Sequence, residues 1–236
     1  LEQLGKMNDL HDIIKIERLL SQFIADSGDL YIAGVEIVKP SMQVKVPSIE
    51  ILSIRNAIPT EVSRHGRHIF IKLAKSVINY IYFDIGNEDS IKIVKNLPIN
   101  RKQFLDLNIA MLLGLIKDGK PYAAICFCIK SGSFGYISGG LGGFLSEYGM
   151  DPIDNDSTIL AQSVYERIHT VGTESVTIKE LLLNQRVVPG LGEYIVSRTL
   201  KAIEMSPDKK CLELSLEEFF SIFQRIKTIV ENLLNV

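Results

Sequence analysis

Several things are scarce in this sequence, and each shortage closes off a class of protein. There are three cysteines in 236 residues, too few for a disulfide framework, so a reducing compartment is expected. No apolar run approaches the roughly 20 residues needed to cross a bilayer, and no basic-then-apolar segment opens the chain. Neither a membrane partner nor a secretory leader is therefore expected. Basic excess is missing too: 26 Lys and Arg stand against 28 Asp and Glu, a formal net charge of −2. Residues 1–150 hold 17 basic and 15 acidic residues, and residues 151–236 hold 9 and 13. Any anion-binding surface must be a local arrangement of Lys and Arg, because the overall field does not supply it. Internal repeats and low-complexity tracts are absent as well.

What is present is ordinary for a globular protein: 46% hydrophobic and 23% charged residues, in a chain long enough for one large domain or two modest ones. Leu10, Ile13, Ile14, Leu20, Phe23 and Ile24 recur at helical spacing and predict a helix over about Asp9–Ile24. Strands are expected at Tyr31–Val38, Glu61–Leu73, Val77–Phe83, Ile91–Lys95, Asn108–Ile116 and Tyr122–Ile129, most of them rich in β-branched or aromatic residues. Asp118-Gly119-Lys120 reads as a hairpin turn. The Gly-rich stretch Ser131–Gly143 ends the strand region in this reading, and the periodicity then becomes helical. Helices are predicted near Ser157–His169, from Thr177, over Leu191–Ile203, and from Ser215 to about Leu234. Thr177/Glu180 and Ser215/Glu218 have capping-box spacing.

The most informative segment is Leu181-Leu182-Leu183-Asn184-Gln185-Arg186-Val187-Val188-Pro189-Gly190-Leu191-Gly192-Glu193-Tyr194. It reads as a helix, a tight turn, and a second helix starting in a Pro-Gly-x-Gly loop. Glycines let backbone N–H groups approach a ligand, and the start of a helix favours an anion such as a phosphate. A helix connection with no ligand accounts for the spacing equally well.

This segment closely resembles the helix–two-turn–helix of the formamidopyrimidine-DNA glycosylase / endonuclease VIII family, where Leu-Leu-Asp-Gln-x-x-Val-x-Gly-x-Gly-Asn runs into a helix. Leu200–Pro207 is similar to the family's Leu-Phe-x-Ala-x-Ile-x-Pro, and Leu214–Glu218 to the start of its next helix. Met7–Ile13 resembles its opening Met-Pro-Glu-Leu-Pro-Glu-Val, and Ser63–Ile69 its Arg-Arg-Gly-Lys-Tyr strand. Phe127–Gly135 is similar to its Phe-Asn-Asp-Pro-Arg-Arg-Phe-Gly, and Gly149–Ile153 to the Gly-x-x-Pro-Leu before its helical domain. The segments occur in family order. The resemblance implies an α+β fold: an N-terminal helix plus an antiparallel β-sandwich over 7–149, then an all-α helix–two-turn–helix domain over 150–236. It also implies duplex DNA, damaged or abasic, as the partner of a monomer that is cytoplasmic, nucleoid-associated or, in a eukaryote, nuclear.

The same resemblance locates the chemistry and shows it altered. In the family an N-terminal proline amine attacks the sugar of a damaged nucleotide to form a Schiff base, and a neighbouring glutamate moves protons. Asn8 and Asp9 stand at those two positions. Met7 is read as the natural start; with Leu1–Lys6 in place, the nitrogen of Asn8 is an amide and cannot form a Schiff base. The family's strand lysine matches Arg67, its phosphate-binding asparagine matches Glu193, and its arginine pair matches Gly132 and Ser133. Its C-terminal zinc finger has no counterpart before Val236, and no metal or other cofactor is expected. Arg64, Arg67, Lys130, Arg186, Gly190, Gly192, Glu193 and Arg198 are the candidate DNA contacts, with Lys201, Lys209 and Lys210 behind them. Cys126 and Cys128 read as strand packing, and His11, His65, His68 and His169 lack metal spacing. The leading expectation is a DNA-binding repair-family protein with its catalytic residues replaced. Two alternatives are a glycosylase using Asp9 and Glu193, and a protein- or RNA-contact module on the same fold.

Overall fold

The computed structural model describes residues 2–3, 9–37, 54–86, 89–95, 109, 111–128, 131–171 and 175–235. It divides into two units, one built on Ile13–Leu141 and the other on Gly142–Val236 with Asn8–Asp12.

Among the described residues the first unit holds most of α1 (Leu10–Ser27) and nine strands: β1 (Glu2–Gln3), β2 (Leu30–Ile37), β3 (Ile58–His65), β4 (His68–Ala74), β5 (Tyr80–Asp84), β6 (Ser90–Lys95), β7 (Met111–Lys117), β8 (Lys120–Cys128) and β9 (Ser133–Ile137). Period-two burial makes the sheets: β7 buries Met111, Leu113 and Leu115 and leaves the residues between them half-buried. One antiparallel sheet runs β1-β6-β8-β7-β2 and the other β3-β4-β5-β9. A single apolar cluster joins both sheets to α1, and Phe83 of β5 stacks on Phe127 of β8 at 3.8 Å between ring centroids. The β7–β8 hairpin turns on Asp118 and Gly119, both at positive φ, as its Asp-Gly signal requires. α1 ends where Gly28 takes φ +67.

Three strand expectations need correction. Glu61–Leu73 is two strands, because Gly66 adopts φ +57 and turns the chain at Gly66-Arg67, so that His65 pairs directly with His68. The two histidines are thus cross-strand neighbours and not residues of one strand. The Gly-rich stretch does not end the strands: Ser133–Ile137 pairs with β5. Glu2–Gln3 adds an unexpected edge to β6.

The second unit is helical: α2 (Gly142–Leu145), α3 (Ser157–Val171), α4 (Ile178–Leu183), α5 (Glu193–Ala202) and α6 (Leu216–Leu234), with a 3-10 turn at Cys211–Glu213. Both capping boxes form, Thr177 with Glu180 and Ser215 with Glu218. α6 buries Phe219, Ile222, Phe223, Ile226, Ile229 and Val230, each stabilising by about 1.5–3 kcal/mol if fully removed from water. Among the described residues no helix is long and apolar enough to cross a membrane.

Candidate functional site

The turn between α4 and α5 is fixed by side chains within its own unit. Gln185 acts as a clamp. Its Oε1 accepts from the Gly190 N–H at 2.8 Å, and its Nε2 donates to the carbonyls of Leu191 at 2.9 Å and Leu183 at 3.2 Å. Asn184 accepts from the Arg186 N–H at 3.0 Å. Gly190 takes φ +93, a conformation that a side chain would strain. Leu181, Leu182, Val188, Leu191, Ile195 and Val196 are buried beneath the turn.

Asp9 completes the construction. Its Oδ1 accepts from the Gly192 N–H at 2.7 Å and its Oδ2 from the Ile195 N–H at 2.8 Å. Gly192 precedes α5 and Ile195 is its third residue, so Asp9 caps this helix from a distant part of the chain. The same carboxylate accepts from the Leu10 N–H at the start of α1. Asp9 is only 4% exposed. Burial pushes its carboxyl above the usual range, against the opposing pull of the Ile195, Gly192 and Leu10 N–H groups and of His11. Among the described residues the Glu193 and Tyr194 N–H groups have no acceptor.

Charge around the turn is arranged in pairs. Lys179 Nζ lies 2.6 Å from Glu193 Oε1, with side chains 40% and 60% exposed. Tyr194 is 46% exposed; the Arg198 guanidinium lies over its ring at 5.3 Å and donates to its hydroxyl. The His11 ring stands 6.2 Å from that of Tyr194. Arg186 is exposed, and its carbonyl accepts from Arg167. Lys209 pairs with Glu218, and Lys210 donates to the Ser175 carbonyl.

The first unit holds the two candidate arginines. The Arg64 side chain is 3% exposed against Glu17, Nε to Oε2 at 3.4 Å, so it is not a solvated surface charge. Arg67 Nε donates to the Ile85 carbonyl at 2.6 Å, and the Ile85 N–H donates back to the Arg67 carbonyl. That leaves the two terminal nitrogens of Arg67 without an acceptor among the described residues. His68 is buried, and desolvation holds its imidazole below its ordinary pKa despite Asp84. A side chain at Gly132 would meet the Asp84 carbonyl and Asp89, whose carboxylate already accepts from Gly86 and Ser131. Cys126 and Cys128 lie in a small apolar cluster with Ile109 and Ala124, and burial pushes the Cys126 thiol up to about 12. Packing is therefore their role. Among the described residues no group of His, Cys, Asp and Glu is placed to hold a metal. Asn8 and Lys130 lie outside the described residues.

Known proteins resemble this chain in sequence and in fold. No family model matches it. Formamidopyrimidine-DNA glycosylases of Legionella pneumophila strains Paris and Lens are each 24% identical to it, over 176 and 175 residues, 73% of this chain and 58% of theirs. The chain thus spans less than two thirds of these curated relatives. A solved Lactococcus lactis formamidopyrimidine-DNA glycosylase, non-covalently bound to AP-site DNA, superposes over 96% of this chain and 82% of its own with a TM-score of 0.75 at 16% identity. Another from the same organism, in complex with Fapy-dG-containing DNA, gives 0.75 over 96% and 80% at the same identity. The chain has the formamidopyrimidine-DNA glycosylase fold.

Within that fold, the resemblance read from the sequence holds along the chain, and so does the expected architecture of helix, antiparallel sheets and helical domain. The structure brings Asp9, Gly190, Gly192 and Glu193 to one turn. Arg64 and Arg67 belong to the other unit. Sequence reasoning gave no role to Gln185, although it lies in the quoted segment; its match to the glutamine of the family's Leu-Leu-Asp-Gln was its only signal. Lys179 was missed because a lysine on a helix reads as ordinary solvated charge. Tyr194 carried no signal beyond its place after Glu193.

Proposed function

We propose that this chain binds duplex DNA carrying damaged or abasic sites, as a relative of base-excision glycosylases whose amine nucleophile is replaced by Asn8. The observation that carries the reading is the built turn of residues 184–195. Gln185 and Asp9 use the Gly190, Gly192 and Ile195 N–H groups to hold it, and the Glu193 and Tyr194 N–H groups are left for an outside acceptor. A DNA phosphate suits that place. Arg67, with its guanidinium anchored at Nε and its terminal nitrogens open, suits a second phosphate. Arg186, Arg198 and Lys130 are further candidate contacts. Arg64 has less support, since a phosphate would compete there with Glu17.

Support for catalysis by Asp9 and Glu193 is thinner. Both Asp9 oxygens are committed to N–H donors, and Glu193 is held by Lys179. Asp9 in this reading positions α5 and activates no water.

Fluorescence anisotropy with a duplex containing a tetrahydrofuran abasic analogue tests the reading. Saturable binding that weakens with salt is expected, and no binding at low salt overturns it. Borohydride trapping on a true abasic site separates binding from chemistry. Retained binding with no covalent adduct supports the loss of the amine nucleophile. An adduct shows that an amine still forms the Schiff base.

A further inference from the structure

We propose that Glu193 is an internal stand-in for a DNA phosphate: its carboxylate holds the Lys179 ammonium in the free protein, and DNA binding exchanges that carboxylate for phosphate. Lys179 thereby becomes a phosphate ligand of the turn, and Glu193 sets how tightly the turn binds. This exchange rests on the DNA-binding reading above.

Only part of the pair can move. Glu193 is the first residue of α5, and the backbone around it is pinned by Asp9 at Gly192 and Ile195. Lys179 is the second residue of α4, whose start is fixed by the Thr177–Glu180 capping box, and its N–H donates to the Pro207 carbonyl. Both ends of the pair thus sit on a firm backbone, and only the two side chains are free to rearrange. Both are well exposed, 40% for Lys179 and 60% for Glu193. Exposed ion pairs contribute little, because water and salt screen the attraction and two long side chains lose freedom in making it. Giving up this pair is therefore cheap.

Charge decides what replaces it. A phosphate approaching the Glu193 and Tyr194 N–H groups meets a carboxylate directly beside them, and like charges repel at this range. Rotating Glu193 away relieves the repulsion and frees an ammonium within reach of the same turn. An ammonium on a flexible stem is a point charge with three donors, well suited to follow the exchange from one oxyanion to another. The exchange also accounts for a carboxylate at the first helical position of a phosphate-binding turn.

The test is a double-mutant cycle read by anisotropy with the abasic-analogue duplex across a sodium chloride series, using the whole chain. Lys179→Gln is expected to weaken binding roughly tenfold and to make the slope of log K against log salt shallower by about 0.9, one lost phosphate contact. Glu193→Gln is expected to tighten binding roughly fivefold, and by clearly less in the Lys179→Gln background, where the repulsion is relieved but no ammonium is released. If the Glu193→Gln gain persists unchanged without Lys179, or Lys179→Gln leaves the slope unchanged, the exchange is wrong while DNA binding stands. If the parent protein binds no DNA at low salt, both the binding reading and the exchange fail. Unchanged melting temperatures in the single variants confirm that these readouts report on binding, as expected for two exposed side chains.

Discussion

Asp9 joins the start of α1 to the start of α5 through a single carboxylate that accepts from Leu10, Gly192 and Ile195. An asparagine has one acceptor oxygen, so whichever way its amide is turned an NH2 group faces one of those donors. Asp9→Asn is expected to destabilise the fold by about 1–2 kcal/mol, the cost of a lost cap with a buried donor left unsatisfied. The cost depends on pH in a definite direction. Burial raises the folded-state pKa of Asp9, so the folded chain holds its proton more tightly than the unfolded chain. The stability this confers is full below the ordinary carboxylate pKa of about 3.9 and is lost as pH rises through the folded value. The asparagine variant does not titrate, so its deficit against the parent should shrink as pH is raised from about 4 to 7. Urea midpoints along that range measure it; a deficit that grows with pH would show that the N–H donors, and not burial, dominate. A second residue-scale prediction concerns Gly149, where a Cβ would press on the Val187 carbonyl. Backbone cannot yield cheaply, and Gly149→Ala should cost about 1–3 kcal/mol in urea unfolding.

At the scale of elements, the α4–turn–α5 segment should behave as one body because Gln185 ties its two ends. Gln185→Ala removes three hydrogen bonds to the turn. It is expected to raise hydrogen exchange at the bonded amides of Gly190, Gly192 and Ile195 by roughly tenfold or more while leaving α6 protected, a local opening and not a global one. Equal deprotection of both would show the turn to be no separate unit. This element was legible in the sequence because its cues are local: a capping box at the start of α4, a glycine pair, and an apolar run beneath. The β7–β8 hairpin was legible for the same reason, Asp118-Gly119 being a turn that carries its own backbone geometry. The misread strands are those where local signals conflict. Arg64-His65-Gly66-Arg67-His68 is a short polar stretch between two strand-forming runs with one glycine as its turn signal, and the positive φ of Gly66 is what turns it. Ser133–Ile137 is a strand because β5 offers its edge as a partner, which glycine content alone argues against. The partners of the site were less legible still. That Asp9 meets Gly192 and Ile195, 183 and 186 residues away, follows from tertiary structure, and the sequence supplied the position only through resemblance. That Lys179 pairs with Glu193 had no sequence signal at all.

For the molecule as a whole, the charge balance constrains how it would hold DNA under the proposed reading. A chain with a net charge of −2 has no long-range field to draw a polyanion in, so affinity must come from a few placed cations. Arg64 is the least suited of the candidates, since a phosphate would compete there with Glu17. The described residues that remain suited to phosphate are Arg67, with open terminal nitrogens, exposed Arg186 and Arg198, and Lys179 once released from Glu193. About four phosphate contacts give a slope of log K against log salt of roughly −3.6. Raising salt from about 50 to about 200 mM should then weaken binding on the order of a hundredfold. A titration of the abasic-analogue duplex across that range measures the slope directly. A slope near zero would mean that phosphates are not what the protein holds, and would turn attention to a protein partner on the same fold. A slope steeper than about −7 would require cations beyond these four, and Lys130, Lys201, Lys209 and Lys210 would be the first to substitute. The shallow slope is the one that fits a chain in which several basic residues are already paired: Lys209 with Glu218, Arg64 with Glu17, and Lys72 with Glu61. If the chain binds DNA as proposed, recognition under those conditions would depend on a rigid turn that presents two backbone N–H groups, and Asp9 and Gln185 are the side chains that hold that turn.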